Sequence, residues 1–141
     1  MRSPVAVLNC TTVKPSETQR IGLVVFAHGS SEQKANEAVK KVAEKTAALC
    51  GLELWSQAFL DPIQPNLGTA VGILSRQGAR KIVIVPYFLT MGVHIQKDLP
   101  NIIEEISKVY PGIQIVCAPS LDGDPFLVDI LVRRARKVLQ M

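Results

Sequence analysis

Two histidines, His28 and His94, are all the imidazole in this chain of 141 residues. Both follow the same kind of segment. Ile21 to Ala27, IGLVVFA, and Ile82 to Val85, IVIV, are short apolar runs rich in β-branched residues, the pattern of strands buried on both faces of a parallel sheet. The first runs straight into His28-Gly29-Ser30-Ser31. The second passes Pro86 and a largely apolar stretch, Tyr87 to Val93, without helical or alternating period, before reaching His94. Imidazole is the commonest metal ligand and the commonest base near neutral pH. Either histidine alone reads as a hydrogen-bonded structural residue, but the two together at matching strand ends point to chemistry.

The surrounding donors narrow that chemistry. Imidazole nitrogen with carboxylate oxygen suits divalent cobalt, nickel, iron or zinc, and no thiolate is expected beside the histidines. A closed structural zinc site needs four ligands, which two histidines without a nearby cysteine do not supply. An open site, holding a metal weakly enough to release it, fits better. Ser30 has no evident base and acid to make it a nucleophile, and with Gln33 it matches a capping box that opens a helix.

The elements that must position these groups alternate four times. After the first strand, Ala35, Ala38, Val39, Val42, Ala43 and Ala47 recur at helical spacing up to Gly51. Leu52 to Leu60 alternates as a strand and ends in Asp61-Pro62, and a helix from near Pro65 runs to Gly78. Asp98-Leu99-Pro100 reads as a capped start of a third helix, which leaves His94 in the loop before it. Ile113 to Ala118 is a fourth strand; Asp124-Pro125 then opens a last helix lined by Leu127, Ile130, Leu131, Ala135 and Val138. This order calls for an α/β fold with a four-stranded parallel sheet and helices on both faces. All strand ends then share one rim, which collects His28, Asp61, His94 and the Asp122/Asp124 pair where open α/β sheets bind ligands.

Length allows one domain, here 21–141, with roughly 70% of the unfolded surface buried; the polar, proline-containing residues 1–20 read as an N-terminal extension. Hydrophobic residues make up 48%, more than a small core needs, which leaves apolar surface for a partner. No apolar run is long enough to cross a bilayer, and three cysteines without a CxxC pair suit a reducing compartment, so a cytoplasmic protein with no membrane partner is expected. Net charge is +4, but its one cluster, Arg133 to Lys137, falls in the last turns of a helix, and nucleic acid is not expected as a partner. Neither GxGxxG nor GxxxxGK is present, and Ala27 before His28 excludes the RHG motif of histidine phosphatases.

From Ile21 onward the motifs are AHGS with Asn36 in the following helix, QAFLDPIQPNL, GARKIVIVPYFLTMGVHIQKDLP and a DP-L helix start. In these the chain resembles the small form of the sirohydrochlorin chelatases, which insert cobalt, nickel or ferrous iron into sirohydrochlorin without ATP. Gly78 to Pro100 is the specific block. The resemblance implies a flavodoxin-like, chelatase-like half domain with His28 and His94 as the metal-binding and catalytic pair. It implies a tetrapyrrole-facing wall of Phe88, Leu89, Thr90, Met91, Gly92 and Val93, with Ser30 and Lys97 as further substrate contacts. Asp61 stands where relatives often carry Glu, a shorter carboxylate arm, and Asp122-Gly123-Asp124-Pro125 replaces a Gly-x-His-Pro, which removes a third histidine. The divalent metal (Co2+, Fe2+ or Ni2+) is then a substrate, no organic cofactor is expected, and a homodimer supplies the second wall of the cleft. A non-catalytic metal or tetrapyrrole carrier on the same fold is the alternative.

Overall fold

The structure is a computed structural model and describes residues 20–140; the expected extension lies, Arg20 apart, outside the described residues. Its elements are β1 (Ile21–Ala27), α1 (Gln33–Cys50), β2 (Leu54–Phe59), α2 (Leu67–Arg76), β3 (Lys81–Pro86), α3 (Val93–Val109), β4 (Gln114–Cys117) and α4 (Pro125–Leu139). The strands form one sheet in the order β2-β1-β3-β4, every neighbouring pair parallel. The α/β reading with a four-stranded parallel sheet therefore holds. Among the described residues no helix is long and apolar enough to cross a membrane.

Each strand alternates between two apolar layers. Val24, Phe26, Ile82 and Ile84 face α2 and α3, and meet Leu74 and Val71 of α2 in the main core. Leu23 and Val25 face the other way, against Ala43 and Ala47 of α1. Burying one such large aliphatic or aromatic side chain stabilises the fold by about 1.5–3 kcal/mol. A glycine lets α2 come close: a Cβ on Gly22 would lie 2.9 Å from Leu74 Cδ1.

Three local expectations are corrected. First, α3 begins at Val93 and not at Asp98, so His94 stands in the first helical turn and Pro100 lies inside the helix. The apolar stripe of Leu99, Ile102, Ile103 and Ile106 continues back to Ile95, which packs on the core; that burial offsets the hydrogen bond proline cannot donate. Second, the Ser30/Gln33 capping box does not form. Helix α1 starts with Glu32 at its N-cap position and no side-chain cap, while Ser30 Oγ accepts from Glu32 N at 3.0 Å. Third, α4 has no buried residue, so its periodic face does not line this chain's core. Asp124 does cap it, accepting from Phe126 N at 2.9 Å.

Candidate metal and substrate site

The central pair of strands, β1 and β3, feeds helices that leave in opposite senses. From β1 the chain crosses by α1 to β2, and from β3 it crosses by α3 to β4, on the other face of the sheet. The loops part between them, which makes this the topological switch point where open α/β sheets hold ligands. His28 follows β1 and His94 follows β3, one on each side of that crevice, and both are exposed. Along the rim the order is Asp61, His28, His94, Asp122, set by the strand order.

The His28 turn is held firmly. Asn36 reaches back from α1 to grip Ser30 twice: its Oδ1 accepts from Ser30 N at 3.0 Å and its Nδ2 donates to Ser30 O at 2.8 Å. Gly29 has φ +87°, and a Cβ there would stand 3.0 Å from both Phe59 Cβ and Ile63 Cδ1. His28 Nδ1 lies 3.4 Å from Gly29 O; the tautomer that donates here leaves Nε2 with its lone pair for a metal or a proton. Asn36→Ala is expected to cost about 1–3 kcal/mol by leaving Ser30's backbone groups unpaired, read as a lower urea midpoint with no change in the steepness of the transition. Gly29→Ala is expected to cost about 1–3 kcal/mol of backbone strain, read as a lower urea midpoint.

The loop after β3 divides into an anchor and a surface. Phe88 is buried and meets Phe26 edge to face, with centroids 5.5 Å apart at 75°. It is therefore a core residue, not part of the expected wall. Leu89 and Val93, by contrast, are 72% and 66% exposed, and Thr90, Gly92 and Lys97 are also exposed. Two contacts fix this surface: Asp122 Oδ2 accepts from Met91 N at 3.2 Å, and Gln96 Nε2 donates to Met91 O at 3.0 Å. Asp122 was legible only as a rim carboxylate; nothing in its spacing reveals that it ties two rim loops together.

Asp61 is already engaged, its Oδ1 accepting from Asn66 Nδ2 at 2.8 Å while Asn66 Oδ1 caps α2 at Thr69 N. Among the described residues no three His, Cys, Asp or Glu cluster as a metal site. Cys117, at the end of β4, does place a thiol on the rim, contrary to expectation; it is exposed there, and its partial desolvation pushes the thiol pKa up. A cavity of about 600 Å³ between α2 and α3 is lined by Phe26, Phe59, Asp61 and Ile102. It is apolar, and neither histidine lines it.

A parallel α/β domain with an imidazole on each side of its switch point, an apolar loop beside one of them and no phosphate loop defines an open-rim, chelatase-like class. The CbiX family model matches residues 22–138, and the chain belongs to that family. It is 30% identical over 129 residues to the sirohydrochlorin cobaltochelatase of Methanosarcina barkeri, covering 86% of this chain and 99% of the relative. It is 28% identical over 122 residues to the chloroplastic sirohydrochlorin ferrochelatase of Arabidopsis thaliana, covering 84% of this chain but 52% of that relative, so it spans about half the plant protein. The crystal structure of a Marinobacter aquaeolei protein assigned to cobalamin biosynthesis as CbiX superposes with a TM-score of 0.73 at 29% identity, covering 85% of this chain and 98% of that one.

Proposed function

We propose that this chain inserts a divalent metal, cobalt, ferrous iron or nickel, into sirohydrochlorin without ATP, a lyase-type chelatase reaction. The observation that carries the reading is the pair of imidazoles flanking the β1/β3 switch point. Insertion removes two pyrrole N–H protons from the macrocycle and seats one M2+ on its four nitrogens, so the net charge of the ring system is unchanged. The protein must therefore offer a metal that it can release and a base for the departing protons. His28 and His94 are the metal ligands in this reading, and one of them also takes a pyrrole proton. Two neutral imidazoles bind a dication weakly enough to yield it to four ring nitrogens. Leu89, Thr90, Met91, Gly92 and Val93 form the wall against the macrocycle's flat face, while Lys97 and Ser30 lie toward its carboxylates. Asp61 is held back by Asn66 and stays a secondary carboxylate.

Residues 21–141 work as one chelatase-type unit, and two copies assemble to close the cleft. The exposed apolar side chains of the rim and of α4 support this, as does the half-length match to the plant relative. Cytoplasmic placement suits a chain with Cys117 as a thiol. The test is anaerobic absorbance of sirohydrochlorin mixed with purified protein and cobalt, nickel or ferrous iron in turn. Insertion faster than the protein-free control is the expected result. A rate equal to the control, with folded protein that retains metal stoichiometrically, would replace the enzyme by a carrier.

A further inference from the structure

We propose that Asp122 is a positioning residue of the site: by accepting from Met91 N it fixes the main chain of the loop that faces the macrocycle, and so sets how tightly the substrate binds while touching neither substrate nor metal. This rests on the chelatase reading above and adds a residue to its substrate side.

The loop between β3 and α3 has few holds of its own. Tyr87 N donates to Phe26 O at 2.7 Å where the strand ends, and Gly92 O accepts from Gln96 N at 3.1 Å where the helix begins. Between those two residues, and among the described residues as partners, the main chain is hydrogen-bonded at Met91 alone. There it is held on both sides, with Asp122 Oδ2 accepting from the Met91 N–H at 3.2 Å and Gln96 Nε2 donating to the Met91 carbonyl at 3.0 Å. The buried Phe88 ring pegs the start of the loop. Leu89 and Thr90 lie exposed between that peg and Met91, so these two ends set their direction. The Gln96 contact closes a local ring with the helix that the loop runs into. Only the Asp122 contact, 31 residues away in sequence, ties the loop to another part of the rim.

The anchor is itself stiff. Asp122 is the second residue of a turn closed by Asp124 N donating to Leu121 O at 3.1 Å, with Gly123 at φ +77°. Asp124 goes on to cap α4 at Phe126 N. One short turn therefore carries two carboxylates, each holding a main-chain N–H, and a carboxylate is the stronger kind of acceptor for that purpose.

A loop already held in one shape loses no binding energy to being ordered when its ligand arrives. Without the Asp122 bond, Leu89 to Gly92 must be ordered by the substrate itself. That cost falls equally on the bound substrate and on the transition state, so KM rises while kcat stays.

The test compares the parent with Asp122→Ala and Asp122→Asn. Initial rates of cobalt insertion are taken over a range of sirohydrochlorin concentrations, cobalt is titrated without sirohydrochlorin, and exchange of the Met91 amide is followed by heteronuclear NMR. For Asp122→Ala the expected KM is about tenfold higher, the worth of one hydrogen bond to a charged group. Its kcat and cobalt affinity should match the parent, its Met91 amide should exchange faster, and its urea midpoint should fall less than that of Phe88→Ala. Asp122→Asn keeps a side-chain oxygen for Met91 N and should restore both the KM and the slow exchange. A parental KM in Asp122→Ala overturns the role, as does fast Met91 exchange in the parent. An Asp122→Asn variant as impaired as Asp122→Ala overturns it too, because charge and not the hydrogen bond would then matter. Cobalt affinity lost in step with KM overturns it by making Asp122 a metal ligand. A parent that inserts no metal overturns the chelatase reading and this role with it, whereas each of the other adverse results, found in an active parent, removes the role and leaves that reading standing.

Discussion

His94→Ala is expected to lower the rate of metal insertion by about 10²–10⁴-fold while leaving the urea unfolding curve within about 0.5 kcal/mol of the parent. The split follows from where the residue stands. It is exposed, in the first turn of α3, and Gly92, Gln96 and Ile95 already secure that turn through the backbone, the Met91 carbonyl and the core. In the proposed reading its removal therefore takes away a ligand and a base but little packing. His28→Ala should behave likewise in activity, for the Asn36 clamp on Ser30 holds its turn without the imidazole. The double variant is the sharper test. If both imidazoles hold one metal, losing the second adds little to losing the first, as for groups that act as a unit. Insertion rates for either single variant within about two-fold of the parent, a difference under about 0.5 kcal/mol, would remove that histidine from the site.

The frame of this site was readable from residue types because its signals were local. IGLVVFA and IVIV read as buried strands, Gly51 closes α1 in the left-handed region as a helix stop should, and strand–helix alternation calls for the parallel sheet and its shared rim. Where local signals compete, the reading failed for physical reasons. Asp98 and Pro100 imitate a helix start, and only the burial of Ile95 shows that the helix began a turn and more earlier. Ser30 and Gln33 have capping-box spacing, yet the Asn36 clamp takes Ser30's backbone first. The stripe of α4 was legible as a stripe. Periodicity states that a face will be buried and is silent on whose surface buries it.

Phe88→Ala carries the second large expectation, a loss of about 3–5 kcal/mol from a total that for a domain of this kind is about 5–15 kcal/mol. By resemblance the residue belonged to the substrate wall, but at 8% exposure, edge-on to Phe26, it belongs to the core. Its ring is the peg by which the loop bearing Leu89 to Val93 is held down, and that loop leads directly into His94. Truncation should therefore act twice: the urea midpoint falls, and KM for sirohydrochlorin rises because the wall is no longer held in one place. Phe88→Leu keeps most of the buried volume and should restore most of the stability. Leu89→Ala is the reciprocal control. At 72% exposure it should leave stability within about 0.5 kcal/mol and raise KM alone, since in the proposed reading its side chain meets the macrocycle and not the core. Urea titrations and initial rates on the three variants decide the assignment. Should Leu89→Ala destabilise the fold more than Phe88→Ala, anchor and wall would have to be exchanged, and the loop would present its aromatic ring to the substrate after all.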